Sequence, residues 1–439
     1  MQTDTAAAQS APEARNLGWM VTFAAMGINL ALGVLYSWSV ISKAIPAAWG
    51  WSEAQKSLPY SIAILVFAFM MVPAGRLQDR IGPRFVAALG GLFTGAGLIL
   101  ASRTTSVAGY ILGFGVLTGM GIGLGYASAT PPALKWFSAR RTGLIAGLVV
   151  SGFGLASVYV APLANWLIKT HSIQFMLVTL GIGFVVVVSI LSQLLINPKP
   201  GYRPAEPAGA SASKTAVAPA ADYSPKAMLA TPQFYVMWIL YAFAAGAGLM
   251  IIGKLAKIVL VQGGWQNGFF FVAVMAVGNA IGRIVAGMMS DKLGRINTAR
   301  IVFLFQAILM VLLTYATEGS ALGSKVALAA FSALLGFNYG ANLSIFPSLT
   351  KDYFGLKNFG VNYGFVFTAW GVGGFVMPYI CGRVYDTTQS FVLSYYIAAG
   401  LLMVALAFSF ALKAPATKAE TEVDEQGKVK IQLPTSEMD

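Results

Sequence analysis

Apolar residues run along this chain in stretches long enough to cross about 30 Å of hydrocarbon, and polar residues collect in the intervals between them. Twelve such stretches stand out, near residues 18–42, 57–75, 84–102, 107–132, 143–167, 173–196, 233–258, 266–289, 299–317, 324–349, 360–382 and 388–412. A lipid interior offers no water to backbone N–H and C=O groups, so continuous apolar runs of this length predict transmembrane helices. Three segments break the pattern. Residues 1–16 are polar and lack the basic start and apolar core of a signal peptide, which leaves the first helix to direct insertion. Residues 197–230 are rich in Pro, Ala and Ser and read as a solvated linker, and 413–439 read as a charged, disordered tail. The chain therefore divides into a polar N-terminus (1–16), a six-helix bundle (17–196), a cytoplasmic linker (197–230), a second six-helix bundle (231–412) and a cytoplasmic tail (413–439). At the linker's end Thr231 is placed to cap a helix whose first position is Pro232.

Composition agrees with the pattern: 57% of residues are hydrophobic, 10% are charged and the mean hydropathy is +0.71, which is too little polar surface for a soluble domain. A net charge of +13 would suggest nucleic acid in a soluble protein. Here the basic residues instead sort by side. Arg76, Arg80, Arg84, Lys135, Arg140, Arg141, Lys292, Arg295, Arg300, Lys351 and Lys357 fall on the side of both termini. Lys43, Lys56, Arg103, Lys169, Lys325 and Arg383 fall on the other. This asymmetry predicts cytoplasmic termini and a multi-pass protein of a cell membrane, with a lipid bilayer as partner and no nucleic acid. Cys381 and His171 each stand alone, so no disulfide framework, metal site or cofactor is expected.

The most informative stretch is GNAIGRIVAGMMSDKLGR (278–295), because it carries Arg283 inside an apolar run. Eight residues separate Arg283 from Asp291, roughly 12 Å of helix, so the guanidinium lies nearer the middle of the membrane than its edge. A charge at that depth costs about 2.5–3.5 kcal/mol and marks a functional site, the alternative being that the side chain snorkels to the headgroups. The turn after it has a counterpart earlier in the chain. GMMSDKLGR, with Asp291 and Lys292, answers GRLQDRIGPR, with Asp79 and Arg80, and the matching glycines and aspartates are each 212 residues apart. The chain is thus a duplication. Two such halves with a site between them are a common build for secondary transporters. The charged turns read as conformational switches whose aspartates accept from neighbouring N–H groups or from a basic partner.

This pair of turns resembles the signature loops of the major facilitator superfamily, and the resemblance covers the whole chain. GVLYSWS (33–39), GIGLGYASATPPALKWF (121–137), TPQFYVMW (231–238), NAIGR (279–283), FNYGANLSIFPS (337–348) and NYGF (362–365) resemble the oxalate/formate antiporter family, close to the monocarboxylate porters. The resemblance implies an all-α membrane protein of twelve helices in two pseudo-symmetric bundles that rock about a central site. It also implies a monomeric bacterial inner-membrane transporter of small organic carboxylates, by symport or antiport, in which Arg283 binds the carboxylate. Tyr36, Tyr126 and Tyr339 match cavity aromatics of the family, more so than Tyr60 or Tyr159.

Two departures from the family shape the expectation. Where oxalate exchange uses a lysine on the eleventh helix, this chain has Trp370; a single arginine suits a monocarboxylate such as lactate, pyruvate or formate better than oxalate. Where many monocarboxylate porters carry an acid before the arginine, this chain has Asn279, and Glu53, Glu318 and Asp386 lie near outer helix ends. Lys254 leaves alternatives open. It either snorkels, or faces the cavity as a second cation for a dicarboxylate and as the candidate for proton coupling; otherwise the chain exchanges a counter-anion without a titrating group. Lys257 is expected to snorkel. Small residues of helices five (143–162) and eleven (360–378) predict close, sliding packing, and Pro131, Pro132 and Pro347 predict kinks. A carboxylate sensor that moves nothing is the rival reading, although the linker and tail are short for an output domain. An enzyme would need an acid pair, metal cluster or nucleophile motif that the sequence lacks.

Overall fold

The structure, a computed structural model, describes residues 17–137, 141–199, 202, 222–355, 358–415, 421–423 and 429–431. Its twelve long apolar helices are α1 (Gly18–Lys43), α2 (Glu53–Ile81), α3 (Pro83–Ser102), α4 (Val107–Leu134), α5 (Thr142–Thr170) and α6 (Ile173–Ser192), then α7 (Pro232–Gly263), α8 (Gly268–Leu293), α9 (Arg295–Leu313), α10 (Lys325–Phe354), α11 (Phe359–Thr388) and α12 (Val392–Ser409). Most helices outrun the apolar stretches that predict them because polar residues finish their ends. Ser52 and Gln55 form a capping box that starts α2 several residues early. Ser172 and Ser324 cap α6 and α10, and Thr231 accepts from Phe234 N–H at the start of α7, with Pro232 in the first position as expected.

Side chains such as Phe23, Phe85, Ile190 and Ile284 point outward, whereas Asn29, Asn338, Asn342 and Gln306 are fully buried. That inside-out arrangement is what a lipid solvent selects. The duplicated turns adopt the same shape. Gly82 and Gly294 both have positive φ, near 90° and 86°, which lets α2 and α8 stop and α3 and α9 start within one residue. Twelve crossings return the chain to its starting side, called here the terminal face; the opposite side is the far face.

The halves meet along two seams, α2 against α11 and α5 against α8. The small residues of α5 and α11 lie on these seams, as their close packing requires. A Cβ on Gly371 would strike Ala68, one on Gly374 would strike Ile64, and one on Gly382 would strike the α2 backbone at Glu53 and Ala54.

Four local features differ from expectation. Gly33–Ser37 within α1 is a 3-10 segment, because Gly33 sits against the α5 backbone at Phe153 and the tighter turn admits that approach. Ile111–Thr118 within α4 is a π segment where Gly113 meets Gly97 of α3. The end of the linker is anchored: Tyr223 N–H donates to Phe354 O, and Asn358 and Asn362 donate to Tyr223 O, so residues 222–230 belong to the second bundle. Most of the linker lies outside the described residues. In the tail, Thr421–Val423 and Val429–Ile431 pair antiparallel, a short hairpin where disorder was expected.

Candidate functional site

Arg283 is 7% exposed and does not snorkel. Helical side chains tilt toward the helix N-terminus, so its guanidinium points back along α8, where Nε donates to Asn279 Oδ1 at 3.1 Å. One NH group crosses to the other half and donates to Val150 O of α5 at 3.0 Å. Gly154 of α5 lies beside this crossing. A Cβ there would lie 3.6 Å from the guanidinium carbon. Behind Arg283, Ser344 of α10 donates to its backbone carbonyl at 2.6 Å and fixes the turn of α8 that carries it. Among the described residues no carboxylate pairs with Arg283.

The tyrosines singled out in the sequence converge here. Tyr36 and Tyr126 both lie within range of the Arg283 charge. The Tyr36 and Tyr339 hydroxyls are 2.6 Å apart across the two halves, and Trp370 Nε1 donates to the Tyr339 hydroxyl at 2.8 Å. Trp370 thus holds a hydroxyl in place at the site. Three phenylalanines that the sequence reading passed over complete the walls: Phe67 lies 5.3 Å from Tyr126 and 5.2 Å from Trp370, Phe153 lies 5.0 Å from Tyr36, and Phe367 stacks on Trp370. Nothing in their sequence context separates them from other membrane phenylalanines. The result is one fixed positive fork, a set of hydroxyls and an aromatic enclosure, which together suit a small anion with an apolar body.

Lys254 is not part of this group. It is 3% exposed and donates to both the carboxylate (3.0 Å) and the backbone carbonyl (2.9 Å) of Glu53, at the far-face start of α2. Lys257, expected to snorkel, meets the same carboxylate at 2.9 Å and lies over the Tyr385 ring. Lys56 is a third partner at 3.0 Å. Asp386 of α11 accepts from the N–H groups of Glu53 and Ala54 at 2.7 and 2.9 Å, so a carboxylate from the second half caps a helix of the first. The sequence reading set Glu53 aside as an outer-end acid. It is instead the hub of the far-face contact. Tyr60, set below the other tyrosines in the sequence reading, also crosses, donating to Leu249 O at 3.2 Å. Among the described residues, polar bonds between the halves occur at the far face and at mid-depth, and none occurs at the terminal face.

The four residues that the sequence reads as conformational switches lie on the terminal face. Asp79, Arg80, Asp291 and Lys292 are exposed. Asp291 accepts from Arg295 at 2.5 Å, and Arg295 also donates to Asp352 of α10 at 2.9 Å, which ties the α8–α9 turn to α10 within the second half. Asp79 accepts only from Gln78 among the described residues, so the two turns share a backbone but not a charge network. The Asp291 side chain is 67% exposed, which limits its ion pair to about 1 kcal/mol. Asp291→Asn is therefore expected to slow transport by no more than about fivefold with substrate affinity unchanged. Loss of affinity in an equilibrium binding measurement would place Asp291 in the binding step instead.

Comparison with known proteins agrees with the architecture. The family model described as Major Facilitator Superfamily matches residues 17–378 and 262–436. The chain is 28% identical to the oxalate:formate antiporter of Oxalobacter formigenes over 366 residues, 81% of each chain. It is 26% identical to monocarboxylate transporter 13 of Bos taurus over 435 residues, covering 95% of this chain and 96% of that one. The fold is similar to that of a solved bacterial homologue of the human lysosomal transporter Spinster, with a TM-score of 0.67, 17% identity and coverage of 91% and 97%. Twelve membrane helices in two matching halves, with the family model spanning nearly all of them, make this chain a transporter and not an enzyme: it belongs to the Major Facilitator Superfamily.

Proposed function

We propose that this protein carries small organic monocarboxylates across the membrane by alternating access, with Arg283 receiving the carboxylate. The observation that carries the reading is a buried arginine between the two halves with no carboxylate partner among the described residues. A carbonyl and an amide oxygen accept from two of its N–H groups without neutralising its charge. An entering carboxylate supplies that neutralisation, and Tyr36 and Tyr126 offer hydroxyls to the same anion. A dianion brings a second charge that nothing at the site meets, because Trp370 is committed to Tyr339 and Lys254 to Glu53. Relatives named for oxalate:formate exchange and for monocarboxylates support the same chemical class.

The test is uptake of labelled lactate into proteoliposomes, with pyruvate, formate and oxalate as competitors and with or without internal anion. Monocarboxylates are expected to compete at least tenfold better than oxalate. Oxalate competition that disappears in Lys254→Ala would establish the dicarboxylate reading in its place. Binding of lactate without any uptake would leave a sensor.

A further inference from the structure

Beside Arg283, on its far-face side, a cavity of about 10 Å³ lies between the halves, lined by Tyr36, Leu255, Val272, Met275, Ala276 and Asn279 among others. Its size is at the lower limit for one water molecule. The lining is mostly apolar, and three of the polar atoms on it already hold a partner, whereas water needs two to four polar partners. Asn279 Oδ1 accepts from Arg283, the Tyr36 hydroxyl is bonded to Tyr339, and Ser157 Oγ accepts from Ser37. The remaining lining is aliphatic. A space of this size and character suits a methyl group.

Its position relative to the arginine gives it a role. Arg283 Nε is bonded to Asn279, so the guanidinium sits at the depth of Asn279, one helical turn from its own Cα toward the far face. Asn279 and Tyr36 are at once the neighbours of the guanidinium and two walls of the cavity. An anion on Arg283 therefore has the cavity directly beside its first carbon. Met275 and Ala276 sit one further turn along α8 and close the space from that side.

We infer that this cavity is a size-selective subsite for the substituent on the carbon next to the carboxylate, and that Met275, Ala276, Leu255 and Val272 restrict that substituent to a methyl group. The inference rests on the proposed carboxylate site at Arg283. Acids bearing only hydrogen at that position leave the subsite unfilled. Acids bearing ethyl or propyl must displace packed side chains of α7 and α8.

The 2-hydroxy acids glycolate, lactate, 2-hydroxybutyrate and 2-hydroxyvalerate form a series that differs only in this substituent. Each competes against labelled lactate in proteoliposomes of the full chain, in wild type, in Met275→Ala and in Ala276→Val. In wild type, unlabelled lactate should compete about threefold to fivefold better than glycolate. It should compete about tenfold or more better than 2-hydroxybutyrate. Met275→Ala enlarges the space and should bring 2-hydroxybutyrate level with or ahead of lactate. Ala276→Val fills it and should reduce lactate to the rank of glycolate. Because these variants change the volume in opposite directions, one of them suffices if the other is poorly assembled. Competition in an unchanged order in the wild type and both variants overturns the subsite while leaving the carboxylate site intact. Failure of all four acids in wild type, with uptake of a different anion, removes the monocarboxylate reading and the subsite together.

Discussion

Arg283→Gln is expected to abolish carboxylate transport, by at least two orders of magnitude, in a protein that still assembles in the membrane. The expectation follows from the electrostatics of the empty site. Arg283 is buried against α5 and α8 with neutral partners only, so replacing it by glutamine removes a charge that the resting protein does not neutralise. Stability of the empty protein should therefore hold or rise. The loss falls on the loaded state, where a desolvated carboxylate without its cation costs about 3–5 kcal/mol. Arg283→Lys keeps the charge but gives up the planar fork that reaches Asn279 and Val150 together, and a loss of about tenfold or more is expected. Thermal unfolding separates the two effects. At a carboxylate concentration about 100 times Kd, wild type should gain about 2.7 kcal/mol from binding, and Arg283→Gln should gain nothing. Normal uptake by Arg283→Gln would place the binding site elsewhere.

The sequence reveals the bundle and the arginine for one reason: both are recorded in runs of residues that are neighbours along the chain. Twelve apolar stretches, two turns 212 residues apart and one charge inside an apolar run need no tertiary information. Tyr36, Tyr126, Tyr339 and Trp370 could be singled out only through their resemblance to family motifs, since a lone tyrosine or tryptophan in a membrane helix is usually packing. The structure then brings all four to one place. Phe67, Phe153 and Phe367 carry no such mark and emerge only when α2, α5 and α11 are assembled. Lys254 and Glu53 show the opposite failure. Their partnership spans 201 residues, so the sequence offers lipid headgroups as the alternative for Lys254 and only an outer helix end for Glu53, because the true partner of each lies on the other half.

That partnership makes Glu53 the site of the second large effect. Glu53 joins α2 to α7 through Lys254 and Lys257, and Asp386 joins α11 to the start of α2, so opening the far face requires these contacts to separate. Glu53→Gln leaves the Lys254 ammonium 3% exposed with neutral acceptors only, the backbone carbonyl at position 53 and the amide oxygen of the new side chain. A buried charge stripped of its counter-ion costs about 3–5 kcal/mol, whereas the same lysine in an open, hydrated far face carries no such penalty. The equilibrium should therefore move toward the far-face-open state by two orders of magnitude or more. Two measurements read this shift. A cysteine placed on the far-face half of α11, in a background where Cys381 is replaced by serine, should react with a polar maleimide at least tenfold faster in Glu53→Gln. Net transport should fall because the closed state that the cycle must revisit is now rare. Glu53→Gln combined with Lys254→Met removes both charges at once and should restore most of the closed population, since a buried ion pair can often be replaced by neutral side chains of similar volume at little cost. Labelling at the wild-type rate in Glu53→Gln, or failure of the double variant to recover, would show that the far face is held by its packing and not by this cluster.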